Sequence, residues 1–187
     1  MREIHISSLT RSHAHWPQCL KERLTTAAPS RLWTIGNSEI LAKQKVGLFC
    51  SVSCPGDAIL GAYDAARKLR DDGVTVISGF HSPVEKECLR ILLRGTQPVI
   101  ICLARAFGRI RIATDWRRAL DSGRLLILTM FEKWPSRPTV ETARQRNELV
   151  AALAEEVLII HAAPGGQIEE ISHLIDRWGM PRWKPQN

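Results

Sequence analysis

The sequence predicts an α/β protein with a Rossmann-like open, mainly parallel sheet flanked by helices on both faces. Three observations predict it. From about residue 45 onwards, short β-branched runs alternate with helical patterns, as βαβ units feeding a parallel sheet do. Each run is apolar along its whole length, which fits strands covered on both sides. Glycine and proline punctuate the junctions.

The elements follow in order. Residues 1–30 read separately, as an N-terminal helical appendage with its helix around Pro17 to Leu24, and residues 31–187 form the Rossmann-type domain. Predicted strands are Val46 to Cys50, Val74 to Ser78, Val99 to Leu103, Leu125 to Thr129 and Val157 to His161, with the first and last expected in the sheet interior. Ile59, Ala62, Tyr63, Ala66 and Leu69 recur at helical spacing and stop at Gly73. The next helix has an explicit start: Ser82 caps, Pro83 suits the first position, and Glu85 completes a capping box. Asp115 to Leu120, Thr139 to Ala154 and Ile168 to Trp178 are the remaining helices, the last followed by an edge strand around Arg182. In such sheets ligands bind beyond the carboxyl ends of the strands. The segments converging there are Cys50 to Gly56, Gly79 to Ser82, Leu103 to Phe107, Thr129 to Arg137 and His161 to Gln167.

Composition narrows the class. A chain of 187 residues with 44% hydrophobic and 24% charged residues suits one globular domain and excludes disorder. No apolar run approaches the roughly 20 residues that span a bilayer, and the polar N-terminus is unlike a signal peptide. A cytoplasmic protein without a membrane partner is expected. The five cysteines are odd in number and several sit in apolar stretches, as reduced core thiols do. The formal charge is +7; residues 1–45 hold seven bases against three acids, and Arg105, Arg109, Arg111, Arg117 and Arg118 form a second concentration. That asymmetry suits a polyanionic partner.

Several motifs together resemble one family. Leu32-Trp33-Thr34-Ile35-Gly36-Asn37, Ser78-Gly79-Phe80, Gly95-Thr96-Gln97-Pro98-Val99-Ile100 and the helix Arg146-Asn147-Glu148-Leu149-Val150-Ala151-Ala152-Leu153-Ala154 are similar, in order and spacing, to segments of the DNA-processing protein A (Smf/DprA) family. The resemblance covers roughly residues 32 to 180. It implies a Rossmann core that binds single-stranded DNA and loads recombinase. Three ligand-facing features differ from the family pattern. Cys50-Ser51-Val52 stands where relatives carry G-S/T-R, Glu148 replaces the second Arg of R-N-R, and His81-Ser82-Pro83-Val84-Glu85 replaces G-I-D. Pro164-Gly165-Gly166-Gln167-Ile168-Glu169-Glu170 also resembles the P-G-G-x-G-T-x-x-E of the related LOG phosphoribohydrolases, without the Gly-Thr.

These residues define a candidate site. Pro164, Gly165 and Gly166 open a helix whose amides and dipole suit a phosphate; a plain strand-to-helix turn has the same sequence. Ser51, Ser53 and Gly56 form a second candidate cradle, and Gly79 and His81 lie at the same edge. Arg146 is read as a bidentate phosphate ligand through the family match, and as a solvated helix residue without it. Asn147 supports the pocket. Glu169 and Glu170 are a general base or ribose acceptor if the protein is an enzyme, and first-turn dipole partners otherwise. Cys50 and Cys54 lack metal or redox spacing, and no metal or cofactor is expected. The leading function is a non-catalytic protein holding nucleotide or single-stranded DNA, with a homodimer or a protein partner in DNA processing. The alternative is a LOG-like nucleoside 5'-monophosphate phosphoribohydrolase that cleaves the N-glycosidic bond. Nucleic-acid binding should be weak, sequence-independent and strongly salt-sensitive, with Trp33, Phe107, Trp116 and Trp134 as candidate stackers.

Overall fold

A computed structural model describes residues 5–108 and 110–184; Arg109 of the basic stretch lies outside them. The chain forms β1 (Ser7–Thr10), α1 (Cys19–Leu24), β2 (Arg31–Gly36), β3 (Lys45–Cys50), α2 (Gly56–Asp71), β4 (Thr75–Ser78), α3 (Pro83–Leu92), β5 (Val99–Cys102), α4 (Thr114–Asp121), β6 (Leu125–Thr129), α5 (Val140–Leu153), β7 (Glu156–His161) and α6 (Gln167–Arg177). Among the described residues the strands make one seven-stranded sheet in the order β1-β2-β6-β5-β4-β3-β7. The five strands from β3 onwards pair in parallel, while β1 and β2 continue the sheet antiparallel beyond β6.

Continuous apolarity of the central strands has its cause in two buried layers. Ala62, Ala66 and Leu69 of α2, Cys88 and Leu89 of α3, and Ala119 of α4 cover one face. Leu20 and Leu24 of α1, Leu149 and Leu153 of α5, and Ile171 and Ile175 of α6 cover the other. Every residue of β3, β4, β5 and β6 is buried. The helix starts obey local chemistry: the Ser82 hydroxyl accepts from Glu85 N–H, and Thr139 caps α5 in the same way through Thr142.

Two expectations are corrected. β7 is an edge strand, not an interior one. Its side chains pack on both faces, with Val157 and Ile159 on one layer and Leu158 and Ile160 on the other, so its apolar pattern carries no trace of the missing neighbour. The free edge is covered at one point, where Val157 N–H donates to Pro181 O at 3.1 Å and Trp183 N–H donates to Val157 O at 2.8 Å. The strand expected around Arg182 is this single bridge. The N-terminal stretch, expected to be helical, contains α1 but also supplies β1. Leu9, Leu20 and Leu24 share one buried cluster with Leu32 and Phe49, because β2 alternates Leu32 towards that layer and Ile35 towards the opposite one.

Candidate functional site

β3 lies between β4 and β7. The chain leaves β3 through α2 on one face and reaches β7 from α5 on the other, so the loops after β3 and β7 diverge. This is the topological switch point, where open α/β sheets hold ligands. An open cleft of about 1000 Å3 occupies it, with Ser51, Ser53, His81, Asn147, Gly165 and Gly166 on its wall. Val52, Pro138, Val140 and Ile168 make much of the remaining lining apolar, and Arg137 adds a cation.

Glu85 ties the floor together. Its buried carboxylate accepts three backbone N–H groups: Cys50 at 3.0 Å, His81 at 2.7 Å and Ser82 at 3.1 Å. The capping box thus does more than start α3, because the side chain reaches across to the end of β3. Ser51 completes the frame: its N–H donates to His161 O at 3.0 Å, and its hydroxyl accepts from Ala163 N–H at 2.9 Å. The hydroxyl oxygen that the sequence offers to a ligand is therefore already holding the loop after β7.

Arg146 sits behind this frame and, like Gly79, is not itself part of the cleft lining. Only 5% of it is exposed. Nε donates to Asn147 Oδ1 at 2.8 Å and Nη1 approaches Cys102 O at 3.5 Å, while Nη2 has no partner among the described residues. Burial pushes its pKa down, opposed by the Glu85 carboxylate. The guanidinium lies against Gly79, where any Cβ would fall on it. The next residue, Phe80, takes φ +46°, a conformation disfavoured for a bulky side chain, and this kink turns the chain from β4 towards His81. The His81 imidazole lies at the mouth; desolvation first, then Arg146 and Lys86, hold its pKa below the usual 6.5.

Other predicted residues fall differently. In the Pro164-Gly165-Gly166 turn, Gly165 N–H donates to Glu169 Oε2 at 2.7 Å and Gly166 N–H to Ala163 O at 3.0 Å. The amides expected to meet a phosphate are thus used within the turn, and the groups left open among the described residues are the N–H of Gln167 and Ile168. Gly165 earns its identity from φ +70°. Glu169 closes its own helix and Glu170 is exposed, and neither lines the cleft. Gly56 starts α2 with open space around it, off the cleft wall. Glu148 pairs with Arg144 on the surface of α5. Phe107 is buried, Trp33 (under Arg31) and Trp116 are partly buried against the core, and Trp134, 76% exposed in the loop after β6, is the most open of the four candidate stackers. All five cysteines are free. Burial raises the thiol pKa of Cys50, and that of Cys88 to about 12, which leaves both unreactive at neutral pH. Beyond its capping box, the Glu85 bridge to β3 leaves no signal in the sequence.

Fold and cleft together make this a Rossmann-type α/β protein with an open cleft at its switch point. The chain belongs to the DNA recombination-mediator protein A family, whose profile matches residues 7–171. Two solved structures share the fold. DNA processing protein A from Streptococcus pneumoniae is 18% identical with a TM-score of 0.75, covering 94% of this chain and 61% of that one. DNA processing protein A from Helicobacter pylori, described for its single-stranded DNA binding mode, is 20% identical with a TM-score of 0.76, covering 96% and 80%. The chain thus spans 61% of the pneumococcal protein. A comparison with curated proteins finds no match.

Proposed function

We propose that the cleft holds single-stranded DNA through its phosphates, without catalysing a reaction on it. The carrying observation is Arg146, a desolvated guanidinium behind the cleft with one nitrogen unpartnered and a glycine making room for it. A buried cation with spare donors binds a phosphate oxygen far more strongly than a solvated one. The Gln167 and Ile168 amides at the start of α6 offer two more donors. The apolar wall suits unstacked bases, and Trp134, outside the cleft lining, is a further exposed aromatic surface. Membership in a DNA-processing family supports the reading, as does the DNA bound by the Helicobacter relative. It has the protein acting in the cytoplasm, as a homodimer or with a partner in DNA processing.

Anisotropy of a labelled oligo-dT strand tests it. Arg146→Ala is expected to weaken binding by about 1.5–3 kcal/mol, roughly 10- to 150-fold, the worth of a hydrogen bond to a charged group. Affinity should also fall steeply with salt. Equal affinity in wild type and Arg146→Ala would overturn the assignment.

A further inference from the structure

A second basic site lies at the amino ends of β5 and β6, opposite the carboxyl ends of the strands where the cleft opens. Arg90, Arg94, Arg118 and Arg124 surround a concavity of about 480 Å3 that holds one carboxylate, Asp115. Arg94 follows α3, Arg118 belongs to α4, and Arg124 immediately precedes β6, so three separate elements aim guanidinium groups at one space. The concavity and the cleft share no lining residue, and the length of a five-residue strand such as β6, roughly 15 Å, lies between the two ends of the sheet, so one phosphate cannot reach both.

Internal pairing does not use up the charge. Arg90 pairs with Glu87 at 2.7 Å. Arg124 Nη2 donates to Leu93 O at 2.6 Å, but its Nη1 is buried without a partner. The side chains of Arg94 and Arg118 are exposed and make no bond or ion pair among the described residues. Cations at the end of α3 complement its dipole, which accounts for Arg90 and Arg124. Arg118 stands likewise in the last turn of α4, but helix dipoles do not account for cations from both helices and from the start of β6 converging on one concavity. Uncompensated like charges around one concavity raise the energy of the fold, and a bound anion relieves them. Arginine forks favour the planar oxygens of phosphate.

We infer that this concavity is a second phosphate site, independent of the switch-point cleft. Its ligand is a phosphate group, carried either by a nucleic-acid backbone or by a small phosphorylated molecule. The site stands whether or not the cleft binds DNA.

Two arms test it, with wild type, Arg94→Ala/Arg118→Ala and Arg146→Ala compared. In the first, inorganic phosphate raises the thermal midpoint of wild type and of Arg146→Ala, by mass action on the folded state. The double variant, altered only at exposed side chains, is expected to lose this response and to bind phosphate at least tenfold more weakly. In the second, the slope of log K for oligo-dT against log salt is measured. Each lost single-strand contact lowers it by about 0.7, so a drop of about 1.4 in the double variant assigns the site to a nucleic-acid backbone. An unchanged slope with a lost phosphate response assigns it to a small phosphorylated ligand. A double variant matching wild type in both arms would overturn the inference, and so would a wild type that responds to neither probe. Failure of the cleft reading is seen separately, as an unchanged oligo-dT affinity in Arg146→Ala.

Discussion

Gly79→Ala is a sharp probe of the site because it adds one methyl group and nothing else. Gly79 does not occupy the left-handed region, so its backbone accepts alanine without strain. The conflict falls on Arg146, whose Nη1, Cζ and Nε are the nearest atoms to the new Cβ. A long side chain yields by swinging away, and here that breaks the 2.8 Å bond from Nε to Asn147 Oδ1 and the weak 3.5 Å approach to Cys102 O. The first is a hydrogen bond to a charged group, worth about 1.5–3 kcal/mol, and the second adds little at that distance. Rehydration of the expelled guanidinium returns part of the loss, leaving a cost of about 1–2 kcal/mol on those terms. Oligo-dT affinity should fall nearly as far as in Arg146→Ala. The decisive comparison is the double variant. With Arg146 already alanine, the Gly79→Ala methyl meets no guanidinium, so its cost should vanish or turn into a gain of about 0.4–1 kcal/mol. Urea denaturation of the four proteins gives the cycle, and a coupling of about 1 kcal/mol or more is expected. Additive effects would refute the close packing of Arg146 on Gly79.

Glu85→Gln should destabilise by about 1.5–3 kcal/mol, because an amide cannot accept all three N–H groups that converge on the carboxylate; chemical denaturation showing a loss under 0.5 kcal/mol, the usual surface range, would contradict it. His81 should titrate below 6.5 by NMR, and Arg146→Ala should move its midpoint upward. Since the folded-state pKa is the lower one, the unfolded chain binds more protons. His81 therefore costs stability as pH falls from its unfolded value through its folded one. A midpoint that ignores Arg146→Ala would separate the two residues.

How much of this was legible in the sequence depends on what each residue faces. The runs at 46–50, 74–78, 99–103 and 125–129 read as doubly covered strands because helices pack on both faces of the sheet and bury almost every position. Ser82, Pro83 and Glu85 announced α3 because capping is a local device. Edge position is not local: β7 packs both faces and lacks only hydrogen-bond partners, which side chains do not record. β1 is four residues with a single buried side chain, Leu9, and leaves no periodic signal. In the site, Arg146, Asn147 and Gly79 were found through a resemblance of motifs. Their mutual packing was not, since an arginine sequence-distant from its glycine gives no pattern. The Pro164-Gly165-Gly166 sequence suits both a phosphate cradle and a plain turn, and Glu169 four residues on fills Gly165 N–H itself.

Amide hydrogen exchange with and without oligo-dT tests the central claim most directly. Gln167 and Ile168 N–H have no protein partner among the described residues, so both should exchange quickly in the free protein. Bound strand should slow them, together with the segment Ser51–Ser53 on the facing wall. Slowing confined to other surfaces, with these amides unchanged at saturating oligo-dT, would contradict a nucleic-acid site at the switch point.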